Sequence, residues 1–315
     1  MNLFDLNCML GPTNTNRESS FRTPEALLAE MDRYGISEAL VYASQARMAH
    51  PEDGNRLLLD AIQGHSRLHA CWVVMPPGLG EQPEPEALVS QMQANDVRAV
   101  RMFPGEHNFP LVERSLRPLL QAFGDARIPL LIDSGRTSWA QITLDWRAVF
   151  EIAEAHPSLP LILLREGGST ARVLFGVWDV FPNVYLETSY IQESRIAEEL
   201  VARFGPNRLL FGSGLPAYDA GGPIALLEGA QVSPEIGAAI AGNTARGLFG
   251  LAEVPPGKAR SWPCGSDGFR VFDVHGHLGR WERKYYRDWT GEQMVERMDQ
   301  VGVERFAVSD IQAIG

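Results

Sequence analysis

Residues 129–165, PLLIDSGRTSWAQITLDWRAVFEIAEAHPSLPLILLR, contain two short apolar runs separated by a longer amphipathic stretch. The apolar runs, Pro129–Asp133 and Leu161–Arg165, have the length of strands, and Trp139–Ala155 has the periodicity of a helix. Strands that are apolar at nearly every position are buried on both faces, which is typical of a parallel sheet covered by helices. This stretch therefore predicts a strand–helix–strand unit with parallel strands.

The same alternation extends outward from this unit over residues 1–252. It gives eight strand-like runs: Asn2–Asn7, Glu38–Ala43, His69–Val74, Ala99–Phe103, Pro129–Asp133, Leu161–Arg165, Val184–Thr188 and Arg208–Ser213. Eight such units in about 250 residues match the size of a (β/α)8 TIM barrel, which is an α/β fold. A doubly wound open sheet is the alternative, but no G-x-G-x-x-G follows the first strand and no G-x-x-x-x-G-K-[ST] occurs in the sequence.

The chain of 315 residues has 28 basic and 39 acidic side chains and a formal net charge of -11. This balance argues against nucleic acid or an anionic membrane as a partner, because both require a basic protein face. No uncharged apolar run of roughly 18 residues occurs, so no membrane span is predicted and a cytoplasmic location is the default expectation. Cys8, Cys71 and Cys264 have no C-x-x-C spacing and are predicted to be small buried side chains.

Residues 253–268, EVPPGKARSWPCGSDG, are rich in Pro and Gly and predict a linker. The sequence after this linker repeats the start of the chain. VFDVHGHLGR at Val271–Arg280 aligns with LFDLNCMLGP at Leu3–Pro12, and TGEQMVERMDQVGVERFAV aligns with TPEALLAEMDRYGISEALV. A single repeat at this separation predicts a second copy of the whole barrel, of which residues 269–315 are the truncated start.

His275 and His277 alternate along the first predicted strand of this second copy, so their side chains point to the same face. Two neighbouring imidazoles suit a divalent transition metal, and Asp273 is placed to orient one of the rings. The alternative is a structural or surface pair of histidines. We take His275 and His277 as the candidate metal ligands.

Four motifs carry a resemblance to a known family. They are Asp273-Val-His-Gly-His277, Leu-Leu-Arg-Glu-Gly-Gly at Leu163–Gly168, Leu-Phe-Gly-Ser-Gly-Leu-Pro at Leu210–Pro216, and Gly-Asn-Thr-Ala-Arg-Gly-Leu-Phe-Gly-Leu at Gly242–Leu251. Together they resemble the amidohydrolase-related family, which includes aminocarboxymuconate semialdehyde decarboxylase and related decarboxylases and hydratases. The resemblance covers residues 1–252 and begins again at 270–315. It implies a TIM barrel in which a divalent metal serves hydrolysis or decarboxylation of small carboxylate-type substrates.

The metal ligands that this resemblance implies are replaced in the first copy. Two histidines of the first strand, the histidines after the fifth and sixth strands, and the aspartate after the eighth strand correspond to Asn7, Met9, Asp133, Arg165 and Gly214. One carboxylate beside an amide and a thioether does not make a metal site of useful affinity. We therefore expect no metal in residues 1–252 and a divalent metal, with zinc as the first choice, only in the second copy.

The predicted strand ends nevertheless carry a set of polar residues: Asp5, Asn7, Arg101, Asp133, Arg165, Glu166 and Glu187. Arg101, Asp133 and Arg165 are the candidate substrate-binding residues, because two guanidinium groups suit a small anion. The alternative is that Arg165 pairs with Asp133 or Asp5 and closes the former site as a buried ion pair. His107, in the loop after the fourth strand, lies at the same end of the predicted barrel.

Two functional hypotheses follow. In the first, the protein is an enzyme whose second copy carries the metal and performs hydrolysis or decarboxylation, and the first barrel alone is inactive. In the second, the first barrel is a non-catalytic pseudoenzyme that serves as scaffold, regulator or small-anion binder. Both hypotheses predict a small-molecule partner, and a homo-oligomer is compatible with both because barrels of the resembled family associate through their outer helices.

Overall fold

The computed structural model describes residues 1–13, 20–135, 144–167, 171–176, 178–191, 193, 195–255, 270–279 and 290–310. Eight parallel strands follow one another in chain order. They are β1 (Leu3–Leu10), β2 (Ile36–Ala43), β3 (Leu68–Val73), β4 (Ala99–Met102), β5 (Leu130–Asp133), β6 (Leu161–Leu164), β7 (Val184–Glu187) and β8 (Leu209–Leu210). Backbone hydrogen bonds from Leu6 N to Phe211 O (3.2 Å) and from Met9 N to Leu215 O (2.9 Å) join the two ends of the sheet. The predicted TIM barrel is confirmed, and the alternative of an open sheet is wrong.

Helices alternate with the strands and cover the outside of the barrel. They are α1 (Pro24–Tyr34), α2 (Ser44–Met48), α3 (Pro51–Ile62), α4 (Pro85–Ala94), α5 (Glu113–Ala126), α6 (Trp146–Ala155), α7 (Ala171–Phe175), α8 (Ile196–Phe204), α9 (Gly221–Glu228), α10 (Pro234–Ala238) and α11 (Thr244–Leu248). No helix in the described part of the chain is both long and apolar enough to span a bilayer.

Local sequence explains where these helices begin and end. Thr23 Oγ1 accepts a hydrogen bond from Ala26 N (3.3 Å) at the start of α1, and Gly35 ends that helix in the left-handed conformation at φ 70°. Asp145 caps α6 in the same way, because its carboxylate accepts from the backbone N–H groups of the first turn. The predicted start of this helix, Trp139, lies outside the described residues.

The barrel interior is apolar along the strands and polar at their carboxyl ends. β5 and β6 are buried at every position, as the two apolar runs predicted. Cys8 and Cys71 are buried and free, which confirms their predicted state, whereas Cys264 lies outside the described residues. β8 is shorter than the predicted Arg208–Ser213, because only Leu209 and Leu210 pair with β7. The polar side chains at the carboxyl ends of the strands thus lie next to the apolar interior of the barrel.

A separate strand–helix–strand unit follows the barrel, with β9 at Val271–Leu278, α12 at Gly291–Val301 and β10 at Val303–Asp310. Its two strands form a parallel sheet of their own. Of the predicted linker, residues 253–255 are described and form neither helix nor strand, and residues 256–268 lie outside the described residues. The described residues contain this one unit and no further strand of a second barrel.

The register of the β9–β10 sheet matches that of β1 and β2 residue by residue. Val271 lies opposite Val303 as Leu3 lies opposite Ile36, and the same correspondence holds for the remaining pairs, including the two irregularities in each ladder. The connecting helices are also alike, since α12 starts at the capping residue Thr290 and ends at Gly302 with φ 72°.

The two units differ in burial. Phe272 is 56% exposed where its counterpart Phe4 is fully buried, and Val274 is 72% exposed where Leu6 is 1% exposed. The apolar residues of β1 contact the rest of the barrel, whereas those of β9 have no comparable cover among the described residues.

Candidate functional site

The carboxyl ends of the strands bring the predicted polar residues together in one buried network. Asp5 and Asn7 come from β1, Arg101 from β4, Asp133 from β5, Arg165 from the residue after β6 and Glu187 from β7, and all are buried. Glu166 is buried as well. This is the end of a TIM barrel at which functional side chains lie.

Asp133 lies between the guanidinium groups of Arg101 and Arg165. Its Oδ1 accepts hydrogen bonds from Arg165 Nε (2.9 Å) and from Gly135 N (2.9 Å), and its Oδ2 accepts from Arg101 Nη2. Burial by itself would raise the pKa of Asp133, but the two guanidinium groups outweigh it and hold the pKa well below its usual range. Asp133 is therefore an ionised carboxylate with both oxygens engaged.

Each arginine is also held from other sides. Arg101 Nη1 donates to Asn7 Oδ1 (2.9 Å), and its guanidinium carbon lies 4.1 Å from the centroid of the Tyr42 ring. Arg165 has a left-handed backbone conformation with φ 59°, which an L-residue seldom adopts. Its backbone N–H donates to Glu187 Oε2 (3.4 Å). Both side chains are thus positioned by contacts from several strands.

Two further buried carboxyl groups, those of Glu187 and Asp5, adjoin this network through hydrogen bonds with Asn7. Glu187 accepts hydrogen bonds from Ser189 N (2.6 Å) and Ser189 Oγ (2.7 Å), and burial raises its pKa to about 7. A side chain at Gly212 would place Cβ 2.2 Å from Glu187 Oε1, so the glycine provides the room in which this carboxyl lies. Burial also raises the pKa of Asp5, whose Oδ1 accepts from Asn7 N (3.0 Å) and Ser213 N (2.9 Å).

Two residues that sequence reasoning missed, Arg47 and Glu106, lie across the mouth of the barrel. Arg47 Nε donates to Glu106 Oε2 (2.6 Å) and Arg47 Nη2 to Glu106 Oε1. Arg165 Nη2 lies 3.9 Å from Glu106 Oε1. The space at the mouth, lined by residues that include Arg47 and Tyr218, has a volume of about 10 Å³. That is room for about one water molecule.

The available signal for Arg47 and Glu106 was their position after the second and fourth strands, since loops at this end of a barrel carry functional side chains. His107 was singled out from the same loop. It lies behind the mouth, where its Nε2 is 2.8 Å from Arg47 O and its ring packs on Phe103. His107 therefore supports Arg47 and does not enter the site.

The residues at the ligand positions that the family resemblance implies for the barrel do not fit a divalent cation. Both oxygens of Asp133 are engaged by arginines, and Asn7 binds Arg101. A side chain at Gly214 would place Cβ 2.6 Å from the Tyr218 ring, so Tyr218 fills the space of the implied aspartate. Across the described ranges, no group of three or more His, Cys, Asp or Glu side chains is arranged to hold a metal.

The predicted metal ligands His275 and His277 lie outside the barrel, on the same side of β9. Their ring centroids are 5.0 Å apart. His277 Nδ1 is 2.8 Å from Ser309 Oγ, and Asp273 Oδ1 accepts a hydrogen bond from His275 N (3.0 Å). Two imidazoles are thus brought together as predicted, without a third ligand from the described residues.

Comparisons with known proteins agree with this fold. One similar solved structure is 2,6-dihydroxybenzoate decarboxylase from Rhizobium, with 14% identity and a TM-score of 0.62 over 79% of this chain and 98% of that chain. Another is 5-carboxyvanillate decarboxylase from Novosphingobium aromaticivorans with bound manganese, with 13% identity and a TM-score of 0.63 over 79% of this chain and 97% of that chain. A third is a probable 2-pyrone-4,6-dicarboxylic acid hydrolase from Acinetobacter baumannii with citric acid bound, with 12% identity and a TM-score of 0.59 over 80% of this chain and 100% of that chain.

No curated protein matches the sequence. The sequence model of the amidohydrolase family matches residues 14–251, which is most of the chain and nearly all of the barrel. The chain belongs to the amidohydrolase family.

Proposed function

We propose that residues 1–252 form a metal-free amidohydrolase-family barrel that binds a small carboxylate through Arg101 and Arg165. The observation that carries this proposal is the full engagement of Asp133 by the two guanidinium groups, in the place where the family's metal chemistry would need a free ligand. Asp133 then serves to hold the two arginines in position. This barrel performs no metal-dependent chemistry of its own.

The charge balance at the mouth supports an anionic ligand. Three guanidinium groups, of Arg47, Arg101 and Arg165, face the two carboxylates of Glu106 and Asp133. Arg101 Nε is buried and forms no hydrogen bond with an acceptor of the described residues. Leaving a buried donor unpaired costs about 1–3 kcal/mol, so a ligand oxygen at this place is favourable.

The similar structures support the class of ligand. Two of them are named as decarboxylases of aromatic carboxylates, and a third was solved with citric acid bound. A carboxylate matches the two parallel donors of a guanidinium group. We therefore assign a small carboxylate, rather than a phosphate, as the ligand of the first barrel.

Thermal unfolding of the purified chain with benzoate, citrate and phosphate tests this assignment. A ligand that binds only the folded protein stabilises it by about 2.7 kcal/mol at 100 times its Kd. We expect benzoate or citrate to raise the Tm of the unaltered chain. The same carboxylates should leave the Tm of the Arg165→Gln variant unchanged. The control Arg147→Gln removes a surface arginine and should respond as the unaltered chain does. The absence of a shift with every anion would contradict the proposal.

A second proposed function concerns residues 269–315, which follow the proposed linker 253–268. We propose that they are the first strand–helix–strand part of a second amidohydrolase barrel, which carries out metal-dependent hydrolysis or decarboxylation. The match in register between β9–β10 and β1–β2 favours this assignment. His275 and His277 would be two ligands of a divalent metal, with zinc as the first choice, although one similar structure holds manganese.

In this arrangement the first barrel acts as a scaffold or regulatory partner of the metal-dependent one. A homo-oligomer is compatible with the proposal, because barrels of the resembled family associate through their outer helices. A cytoplasmic location stays a prediction from the sequence. Metal bound per chain, measured with and without the two histidines, tests the assignment of the metal to β9.

A further inference from the structure

The carboxylate of Glu106 lies where an incoming carboxylate would meet the arginines of the mouth. It forms two parallel hydrogen bonds with Arg47, through Nε (2.6 Å) and Nη2, and its Oε1 is 3.9 Å from Arg165 Nη2. Two parallel N–H donors to one carboxylate are the strongest arrangement that an arginine offers to an anion. Glu106 thus binds one guanidinium group of the mouth, that of Arg47, as a free carboxylate would, and lies near a second, that of Arg165.

The loop between β4 and α5 holds Glu106 in this position. The carboxylate also passes over the end of β5, since a Cβ at Gly135 would lie 3.6 Å from Glu106 Oε1. The space at the mouth beside Arg47, Arg101 and Arg165 measures about 10 Å³. A carboxylate group is larger than the single water molecule that fits there. A carboxylate therefore enters only when a side chain at the mouth moves, and Glu106, which pairs with Arg47 and lies near Arg165, is a partly exposed candidate.

Arg47 has other contacts that hold its side chain in position besides those with Glu106. The guanidinium carbon of Arg47 lies 5.1 Å from the centroid of the Phe103 ring, and Arg47 Nη1 is 3.5 Å from Tyr42 Oη. The side chain of Glu106 is 33% exposed, whereas that of Arg47 is 17% exposed. The carboxylate of Glu106 thus lies at the solvent boundary, whereas the guanidinium group of Arg47 keeps its contacts with Phe103 and Tyr42 when the carboxylate moves away.

We propose that Glu106 is a tethered carboxylate that occupies Arg47 at the mouth of the anion site and competes there with the free ligand. This inference rests on the proposed binding of a small carboxylate by the first barrel. A ligand on a short tether acts at an effective concentration of the order of millimolar, so only a free carboxylate at comparable or higher concentration displaces it. The site therefore binds free carboxylates that are present at millimolar or higher concentration, and carboxylates at much lower concentrations leave Glu106 in place.

Calorimetric titration of the full chain with benzoate tests the inference. Glu106→Gln keeps the size of the side chain and removes its charge, and we expect it to bind benzoate roughly tenfold more tightly than the unaltered chain. Glu106→Ala removes the same carboxylate and should show a similar gain. Glu113→Gln is the matched control, because Glu113 pairs with Arg117 (2.9 Å) on α5, away from the mouth.

The outcomes separate the inference from the proposal on which it rests. A gain in both Glu106 variants and none in Glu113→Gln supports the tethered carboxylate. Equal binding of benzoate by the unaltered chain and by both Glu106 variants overturns the role of Glu106 and leaves carboxylate binding intact. No binding by any of these proteins overturns both.

Discussion

Asp133→Asn is the substitution that most directly tests the ion network at the strand ends. Asp133 is buried and neutralises two guanidinium groups that are themselves buried, with side-chain exposures of 2% for Arg101 and 6% for Arg165. The amide keeps the shape of the side chain but leaves these two positive charges without the carboxylate between them. Removing one partner of a buried ion pair costs about 3–5 kcal/mol, and two pairs are broken here.

The free energy of unfolding should therefore fall by at least about 3 kcal/mol, measured by urea denaturation with linear extrapolation. For a domain of this size, a loss of about 3–5 kcal/mol corresponds to a decrease in Tm of roughly 6 to 20 °C. Asp53→Asn is the control, because Asp53 and Arg56 form an exposed pair on α3 that should contribute at most about 1 kcal/mol. A loss for Asp133→Asn no greater than that of the control would refute the network as described.

Three further predictions concern other parts of the barrel. Burial raises the pKa of Glu187 to about 7. A carboxyl group with such a raised pKa stabilises the folded protein fully when the pH is below its pKa in the unfolded chain, and this contribution is lost as the pH rises through its pKa in the folded protein. The stability of the unaltered chain relative to Glu187→Gln, from urea unfolding at pH 4 and pH 8, should thus fall by roughly 3 kcal/mol, and a constant difference would contradict this. Gly212→Ala should destabilise by about 1–3 kcal/mol in the same assay, because its Cβ meets Glu187, whereas Gly222→Ala, which meets nothing within 4 Å, should not. A chain that ends at Pro255 should keep its Tm within roughly 2 °C in calorimetry, since the separate β9–β10 sheet adds little to the barrel; a large decrease would show that it does.

The fold could be predicted because its signals are local. Each βα unit repeats an apolar run and an amphipathic stretch within a few tens of residues, and caps such as Thr23 and Gly35 are read directly from the sequence. The start of α6 and the end of β8 differ from the prediction, because the helix begins after its cap Asp145 and β8 pairs with β7 only at Leu209 and Leu210. Element boundaries of this kind are set by single side chains and backbone conformations.

The candidate site could be predicted only in part. The strand-end rule placed Asp5, Asn7, Arg101, Asp133 and Arg165 at one end of the barrel, and the structure brings them together there. The pairing itself was left open between Asp133 and Asp5, because it depends on side-chain geometry across several strands. The structure pairs Arg165 with Asp133.

The contact between Arg47 and Glu106 at the mouth of the barrel was not predicted. Arg47 and Glu106 are 59 residues apart and lie after different strands. Neither has a motif, and their meeting depends on the shapes of two loops. The need for glycine at position 212 could not be predicted either. It depends on the position of the Glu187 carboxylate, whose Oε1 would lie 2.2 Å from a Cβ at Gly212.

The metal content of the chain tests the central claim, that the arginine–aspartate network leaves the first barrel without a metal site. The measurement is metal per chain by elemental analysis of the purified protein and of the His275→Ala/His277→Ala double variant. The account predicts no metal in the double variant, because any metal that the chain binds belongs to β9. Stoichiometric metal in the double variant would place a metal in the first barrel and contradict the account.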